Sequence, residues 1–148
     1  MNLEETDPNF QTVTNARIAE EVVYFDAYGQ SGSVGSVIHY DGTQVNIGGA
    51  MNVDSGVFMA PVDGINVFHF HTRMYRTMLG LYFQKIGVMK SEIYSDDHTT
   101  GGSFWDHDQM PGQSFMLQLK KGDIVDVYLR VGTLRGQRHF LGYLLYRM

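Results

Sequence analysis

The chain has 148 residues, 43% hydrophobic and 18% charged, with a formal net charge of −5 and no cysteine. This length and composition indicate one folded domain and favour neither a disordered chain nor a coiled coil, and the lack of cysteine excludes disulfides, thiol catalysis and cysteine-ligated zinc. The acidic balance disfavours nucleic acid as a partner. No apolar run reaches the length of a membrane span, so we also expect no insertion into a bilayer.

In chain order, residues 1–21 are polar and are predicted to form an acidic N-terminal tail. Short apolar runs then follow at 22–25, 44–47, 57–60, 65–72, 79–83, 88–94, 115–119, 125–131 and 140–146. Turn residues such as Asp63-Gly64 separate them, roughly every 8–12 residues. No run after residue 21 keeps a period near 3.6 residues, so the pattern predicts an all-β sandwich or barrel.

The run INVFHFHT at residues 65–72 alternates between aromatic and polar side chains. Successive side chains of a strand point to opposite faces, so Phe68 and Phe70 share one face, and His69 and His71 share the other. Burying a phenylalanine contributes about 1.5–3 kcal/mol, so the phenylalanines are expected to face the core. The opposite face is partly apolar, which is typical of a surface covered by another subunit.

Several motifs follow one another in order along residues 22–148. They are Val23-x-Phe25-x-Ala27, Asn46, Gly48, Phe58, Ala60-Pro61, Gly64, Phe68, Phe70, Leu117-x-Leu119 before a Lys-Gly-Asp turn, and Phe140-x-Gly142-Tyr143-Leu144-Leu145. Their order and spacing resemble the globular head of complement component 1, subcomponent q. The resemblance implies a ten-stranded jelly roll, similar to tumour necrosis factor, in which two five-stranded antiparallel sheets stack and the heads form homotrimers.

The family resemblance places Val67, His69 and His71 on the sheet that faces the threefold axis, at the trimer interface. Histidines two residues apart on a strand stand about 6.5–7 Å apart and can chelate one metal, but no third ligand is evident. We expect interface imidazoles satisfied by hydrogen bonds. A bound metal and a pH-sensitive interface are the alternatives.

The strand departs from the family pattern at one core position. Asn66 stands where the family has tyrosine. A buried amide without partners costs about 1–3 kcal/mol. We therefore expect Asn66 to bond a neighbouring backbone group, or the strand to begin one residue later.

The polar stretch SDDHTTGGSFWDHDQ, residues 95–109, contains four aspartates and the single tryptophan. Clustered carboxylates suit calcium, which takes 6–8 oxygen ligands. Some family members hold calcium with acids from this region, and the resemblance implies Asp106 and Asp108 as metal ligands, next to Gln109. A solvated acidic loop is the alternative.

The same stretch offers a second interpretation, a sugar site. Trp105 could stack on the apolar face of a sugar while Gln109 and the carboxylates bond its hydroxyls. Alternatively, Trp105 packs at the edge of the core.

A basic, glycine-containing segment lies between the last two apolar runs. Arg130, Arg135 and Arg138 could grip a carboxylate or phosphate, as in sialic acid, lipopolysaccharide or another anionic surface glycan. The alternative is a set of exposed charges on a hairpin.

The sequence has no G-x-S-x-G elbow, P-loop or HExxH motif, so we expect no enzymatic activity. The resemblance implies an extracellular, lectin-like recognition protein of innate immunity that binds carbohydrate or other surface ligands as a homotrimer. Two alternatives remain: a cytokine-like ligand for a cell-surface receptor, and a structural trimerisation head of a longer matrix protein.

Overall fold

The computed structural model describes residues 22–29, 32–75, 78–95, 108–109, 111–132 and 134–148. The predicted tail, residues 1–21, lies outside this part of the chain. The strands are β1 Tyr24–Tyr28, β2 Ser36–Val37, β3 Gly42–Ile47, β4 Met51–Asn52, β5 Val57–Met59, β6 Gly64–Tyr75, β7 Leu79–Lys85, β8 Val88–Ser95, β9 Asp108–Gln109, β10 Gly112–Leu119, β11 Ile124–Val131 and β12 Arg135–Arg147. Within the described residues, no helix is long and apolar enough to cross a bilayer.

The strands form two antiparallel sheets. Sheet 1 has the order β10-β6-β12-β1-β3, and sheet 2 has the order β4-β5-β11-β7-β8. Two strands of two residues each lie beside these paths: β9 pairs with β6, and β2 pairs with β11. The predicted all-β jelly roll is confirmed, with five strands along each path and β2 and β9 as short additions.

Aromatic side chains from sheet 1 and sheet 2 meet between the layers. Phe68 on β6 lies at the centre of this cluster and is fully buried. Its ring centroid lies 5.2 Å from that of Phe58, 5.3 Å from Phe115, 5.8 Å from Phe140 and 6.4 Å from Phe25. Ring pairs at these separations add stability beyond the burial of their area. Phe68, which the period-2 pattern of β6 directs inward, therefore holds together the aromatic core between the two sheets.

The two faces of β6 are as the alternation predicts: Phe68 and Phe70 are buried, and His71 is exposed on the other face. Both expectations for Asn66 are wrong. The strand begins at Gly64, and the Asn66 side chain, only 1% exposed, has no hydrogen-bond partner for Nδ2 or Oδ1 among the described residues. Its register neighbours, Leu117 and Leu144, are apolar and offer it no side-chain partner.

A glycine allows the turn after β4 to approach a neighbouring segment closely. Gly56 has a φ of +73°, and a Cβ atom there would overlap the carbonyl oxygen of Ile38. The Ile38 amide donates to the Val127 carbonyl at 2.8 Å, which fixes this segment against β11. Tyr40, two residues later, is thereby directed into the interior, where its ring lies 6.0 Å from that of Phe140.

Candidate functional site

A line of apolar side chains crosses the outer face of sheet 1, the face turned away from the core. Direct register partners on the five strands β10, β6, β12, β1 and β3 form it: Met116, Val67, Tyr143, Tyr24 and Ile47. We call this line the apolar row. Val67 is buried beneath its neighbours, and the other four members are exposed. Such a continuous apolar line is typical of a surface that another molecule covers.

A cleft adjoins the apolar row at Tyr24 and Tyr143. Its volume is about 450 Å³, and its lining comprises Val22, Val23, Tyr24, Tyr143 and Leu144. Tyr24 and Tyr143 belong to both features, so the exposed apolar surface continues from the row into the cleft.

The predicted histidines lie beside the apolar row. The His69 ring stacks on that of Tyr143, with centroids 6.2 Å apart, and its Nδ1 is 2.5 Å from Ser114 Oγ. His71 pairs in register with His139, whose Nδ1 is 2.8 Å from Asp26 Oδ1. The structure thus places a third histidine, His139, on the face where the sequence predicted only His69 and His71 of β6. Cross-strand pairing brings it there, and no local motif indicates it.

Metal binding at this face has no support from the part of the chain that the structure describes. Within it, no group of three or more His, Asp or Glu side chains is arranged to hold a metal ion. Ser114 and Asp26 are instead the side-chain partners of His69 and His139. These hydrogen bonds fix the two imidazole rings on the outer face.

Several predicted site residues fall outside the described part of the chain. Trp105 and Asp106 are not described, and nothing is described of the side chains of Asp108, Gln109 and Arg135. The backbone of Asp108 and Gln109 forms β9, which pairs with the end of β6. The calcium site and the sugar site at this stretch therefore stay predictions.

The structure corrects the expected position of Arg138. Its side chain is 1% exposed and lies inside the sandwich, where Nη2 donates to the His39 carbonyl at 3.4 Å. Burial lowers the pKa of Arg138 to about 10, while the nearby Tyr40 and Asp41 act to raise it. A guanidinium in this position is out of reach of a surface ligand. The alternative prediction, that Arg138 is an exposed charge on a hairpin, is wrong for the same reason.

Tyr40 and Asp126 are two further buried side chains with polar groups, and Arg138 and Asp126 both act electrostatically on Tyr40. Burial raises the pKa of Tyr40 well above its usual value, with Arg138 opposing and Asp126 adding to the shift. Burial also raises the pKa of Asp126 to about 6. Asp126 is 5% exposed, and its Oδ1 has no hydrogen-bond partner among the described residues. The charged form of this carboxylate is therefore disfavoured in the folded protein.

The raised pKa of Asp126 predicts a pH-dependent stability. A carboxyl group with a higher pKa in the folded state stabilises the fold while it is protonated, and that contribution is lost as the pH rises from about 4 through 6. Relative to Asp126→Asn, the wild type is expected to lose about 2–3 kcal/mol of unfolding free energy over this range. Chemical denaturation at a series of pH values measures the difference.

The control for this prediction is Asp54→Asn, which changes an exposed carboxylate in the turn after β4. Its difference from the wild type is expected to stay within about 0.5 kcal/mol across the same range. A difference between the wild type and Asp126→Asn that does not vary with pH would contradict the assignment.

Arg130 occupies a different surface, the outer face of sheet 2. Its guanidinium carbon lies 5.6 Å from the ring centroid of Tyr82 and 5.7 Å from that of Tyr94. Nη2 donates to Glu92 Oε1 at 3.1 Å. Arg130 is exposed there, whereas Arg138 is buried, so the structure does not bring these two predicted ligand residues together.

Comparison with known proteins agrees with this architecture. A C1q domain family model matches residues 22–145. The globular domain of zebrafish complement 1qA superposes with a TM-score of 0.72 at 18% identity, over 86% of this chain and 100% of that one. Murine APRIL, in a crystal structure at pH 5.0, gives a TM-score of 0.57 at 11% identity, over 84% and 99%. No curated protein sequence matches.

The family match covers most of the chain and reaches every strand of both sheets, ending two residues before the end of β12. Proteins with this domain generally form trimers, are generally non-enzymatic and are typically secreted. The matched span and the two-sheet architecture lead to one conclusion: this chain belongs to the C1q domain family.

Proposed function

We propose that this protein is a secreted, non-catalytic recognition head that forms a homotrimer and binds carbohydrate or other ligands on microbial or cell surfaces in innate immunity. The observation that carries the proposal is the apolar row on sheet 1. It leaves four large apolar side chains exposed on a single chain. Water contact at such a surface is unfavourable by about 25 cal/mol per Å² of apolar area, so the row favours association.

The polar groups near the apolar row are compatible with a covered interface. His69 and Ser114 are hydrogen-bonded, and so are His139 and Asp26. Removing water from a polar group costs less free energy when the group already has a hydrogen-bond partner. The outer face of sheet 1 can therefore be covered by neighbouring copies without leaving these groups unsatisfied.

Contact through sheet 1 leaves the outer face of sheet 2 directed away from the neighbouring copies. A trimer then presents three identical surfaces to a ligand-bearing cell. Linking several weak sites raises the apparent affinity by about 10²–10⁴ when the sites can bind at the same time. This gain suits a protein that recognises repeated sugars on a surface.

Binding of the trimer to a glycan array, with and without added calcium, tests the proposal. We expect binding to a defined subset of glycans, and the effect of calcium tests the prediction for Asp106 and Asp108. A trimer of verified mass that binds no glycan would contradict the lectin function and favour the receptor-ligand alternative. A monomeric variant provides the control, because avidity is lost with the trimer.

A further inference from the structure

Three strands of sheet 2 bring four side chains together on its outer face. Tyr82 on β7 pairs in register with Glu92 on β8, and Tyr94 and Arg130 lie beside them. We call these four the tyrosine–arginine surface. The Tyr82 ring is also nearly parallel to that of Tyr128 on β11, at 13° with centroids 6.2 Å apart. Tyr94 is 51% exposed. The surface thus presents aromatic rings next to a charged pair.

A β-bulge positions the guanidinium in this surface. Leu129 pairs with Leu81 and Val131 pairs with Gly80, so Arg130 is the extra residue of β11. Bulges re-aim side chains and occur often beside functional sites. A Cβ atom at Gly80 would lie 3.0 Å from Arg130 Nη2 and 2.8 Å from Val131 Cγ1. The absence of a side chain at Gly80 therefore makes room for the guanidinium.

Neither the glycine nor the ion pair in this arrangement contributes much to stability. A glycine inside a strand weakens that strand, because it adds no side chain to the packing and loses more conformational freedom on folding. An exposed ion pair such as Arg130–Glu92 contributes little to stability. A bulge and a glycine that serve mainly to hold an exposed arginine between two tyrosines are features expected of a binding site.

The chemistry of the surface indicates the class of ligand. Tyrosine rings accept the apolar C–H face of a pyranose, the guanidinium donates to hydroxyl oxygens, and the carboxylate accepts from hydroxyl groups. Glu92 offsets the charge of Arg130 at 3.1 Å, so the pair carries no net charge. A neutral sugar suits this surface better than a polyanion, which Glu92 would repel.

We propose that the tyrosine–arginine surface binds a neutral hexose of a surface glycan. This assignment rests on the recognition function proposed above. A protein partner also favours tyrosine and arginine, but it needs about 800 Å² of contact on each side. With Tyr128 included, the aromatic and paired polar groups here form a cluster of only five side chains, which is closer to the size of a sugar ring.

Saturation-transfer NMR and titration of the trimer with methyl glycosides of glucose, galactose, mannose and N-acetylglucosamine test this site. Tyr94→Ala is expected to weaken binding of the preferred glycoside about two- to tenfold per site, because it removes one aromatic face. Tyr94→Phe keeps the ring and is expected to stay within about twofold of the wild type. Met89→Ala, which truncates an exposed side chain of the same strand, is expected to have no effect.

Trimer mass and thermal unfolding are measured on every variant, so that a folding defect is recognised. Glycoside binding that survives both Tyr94→Ala and Tyr82→Ala would overturn this site while leaving the recognition function intact. Binding of glucuronic acid more than tenfold tighter than its neutral counterpart would overturn the ligand class. No binding to any sugar would overturn both proposals and leave the surface to a protein partner.

Discussion

Truncation of Phe68 to alanine is expected to lower the free energy of unfolding by about 3–5 kcal/mol. The ring is fully buried and lies within 6.4 Å, centroid to centroid, of four other phenylalanine rings. Its removal leaves a cavity that strands of both sheets line, and a two-layer sandwich cannot close that cavity without moving a sheet. Chemical denaturation at matched protein concentration measures the loss, because the stability of an oligomer depends on concentration.

Phe68→Leu is the matched variant, since it retains much of the buried volume. We expect it to cost clearly less than Phe68→Ala. Equal losses for the two variants, or a loss below about 1 kcal/mol for alanine, would show that the rings do not form the core described here.

The second large effect is expected at Met116, on the apolar row. Met116→Glu places a charge on a side chain that is 63% exposed in the single chain, so the fold of the chain should tolerate it. In a trimer that buries the row, the carboxylate would be desolvated, which costs several kcal/mol. We therefore expect the protein to dissociate into monomers, measured as a threefold fall in mass by light scattering.

Met89→Glu is the control, because it changes another exposed methionine, 49% exposed, on β8 at the opposite sheet. It is expected to leave the mass unchanged. Dissociation by Met89→Glu but not by Met116→Glu would place the subunit contact on sheet 2 and contradict the proposed orientation.

Much of the fold is predictable from local sequence. Alternation along residues 65–72 assigned the faces of β6 correctly, because a strand has a fixed period of two. The turn residues before Gly64 and after Leu119 also mark real strand ends. That the buried Asn66 side chain lacks a hydrogen-bond partner among the described residues could not be predicted in the same way, since the neighbours of a core side chain come from distant strands.

The site is less predictable, because register determines it. Arg130 and Arg138 are eight residues apart and look alike in sequence, yet the first lies exposed on sheet 2 and the second is buried beside Tyr40. A bulge re-aims Arg130, and a shift in pairing along β12 precedes His139. Neither irregularity has a local sequence signal, so the tyrosine–arginine surface is visible only in three dimensions.

The most direct test of the account is the mass of the wild-type protein in solution at micromolar concentration. Burial of the apolar row between copies predicts a particle of three chains, each of 16.8 kDa, that persists on dilution through this range. A particle with the mass of one chain would contradict the trimer, and with it the avidity on which the proposed recognition of surface sugars depends.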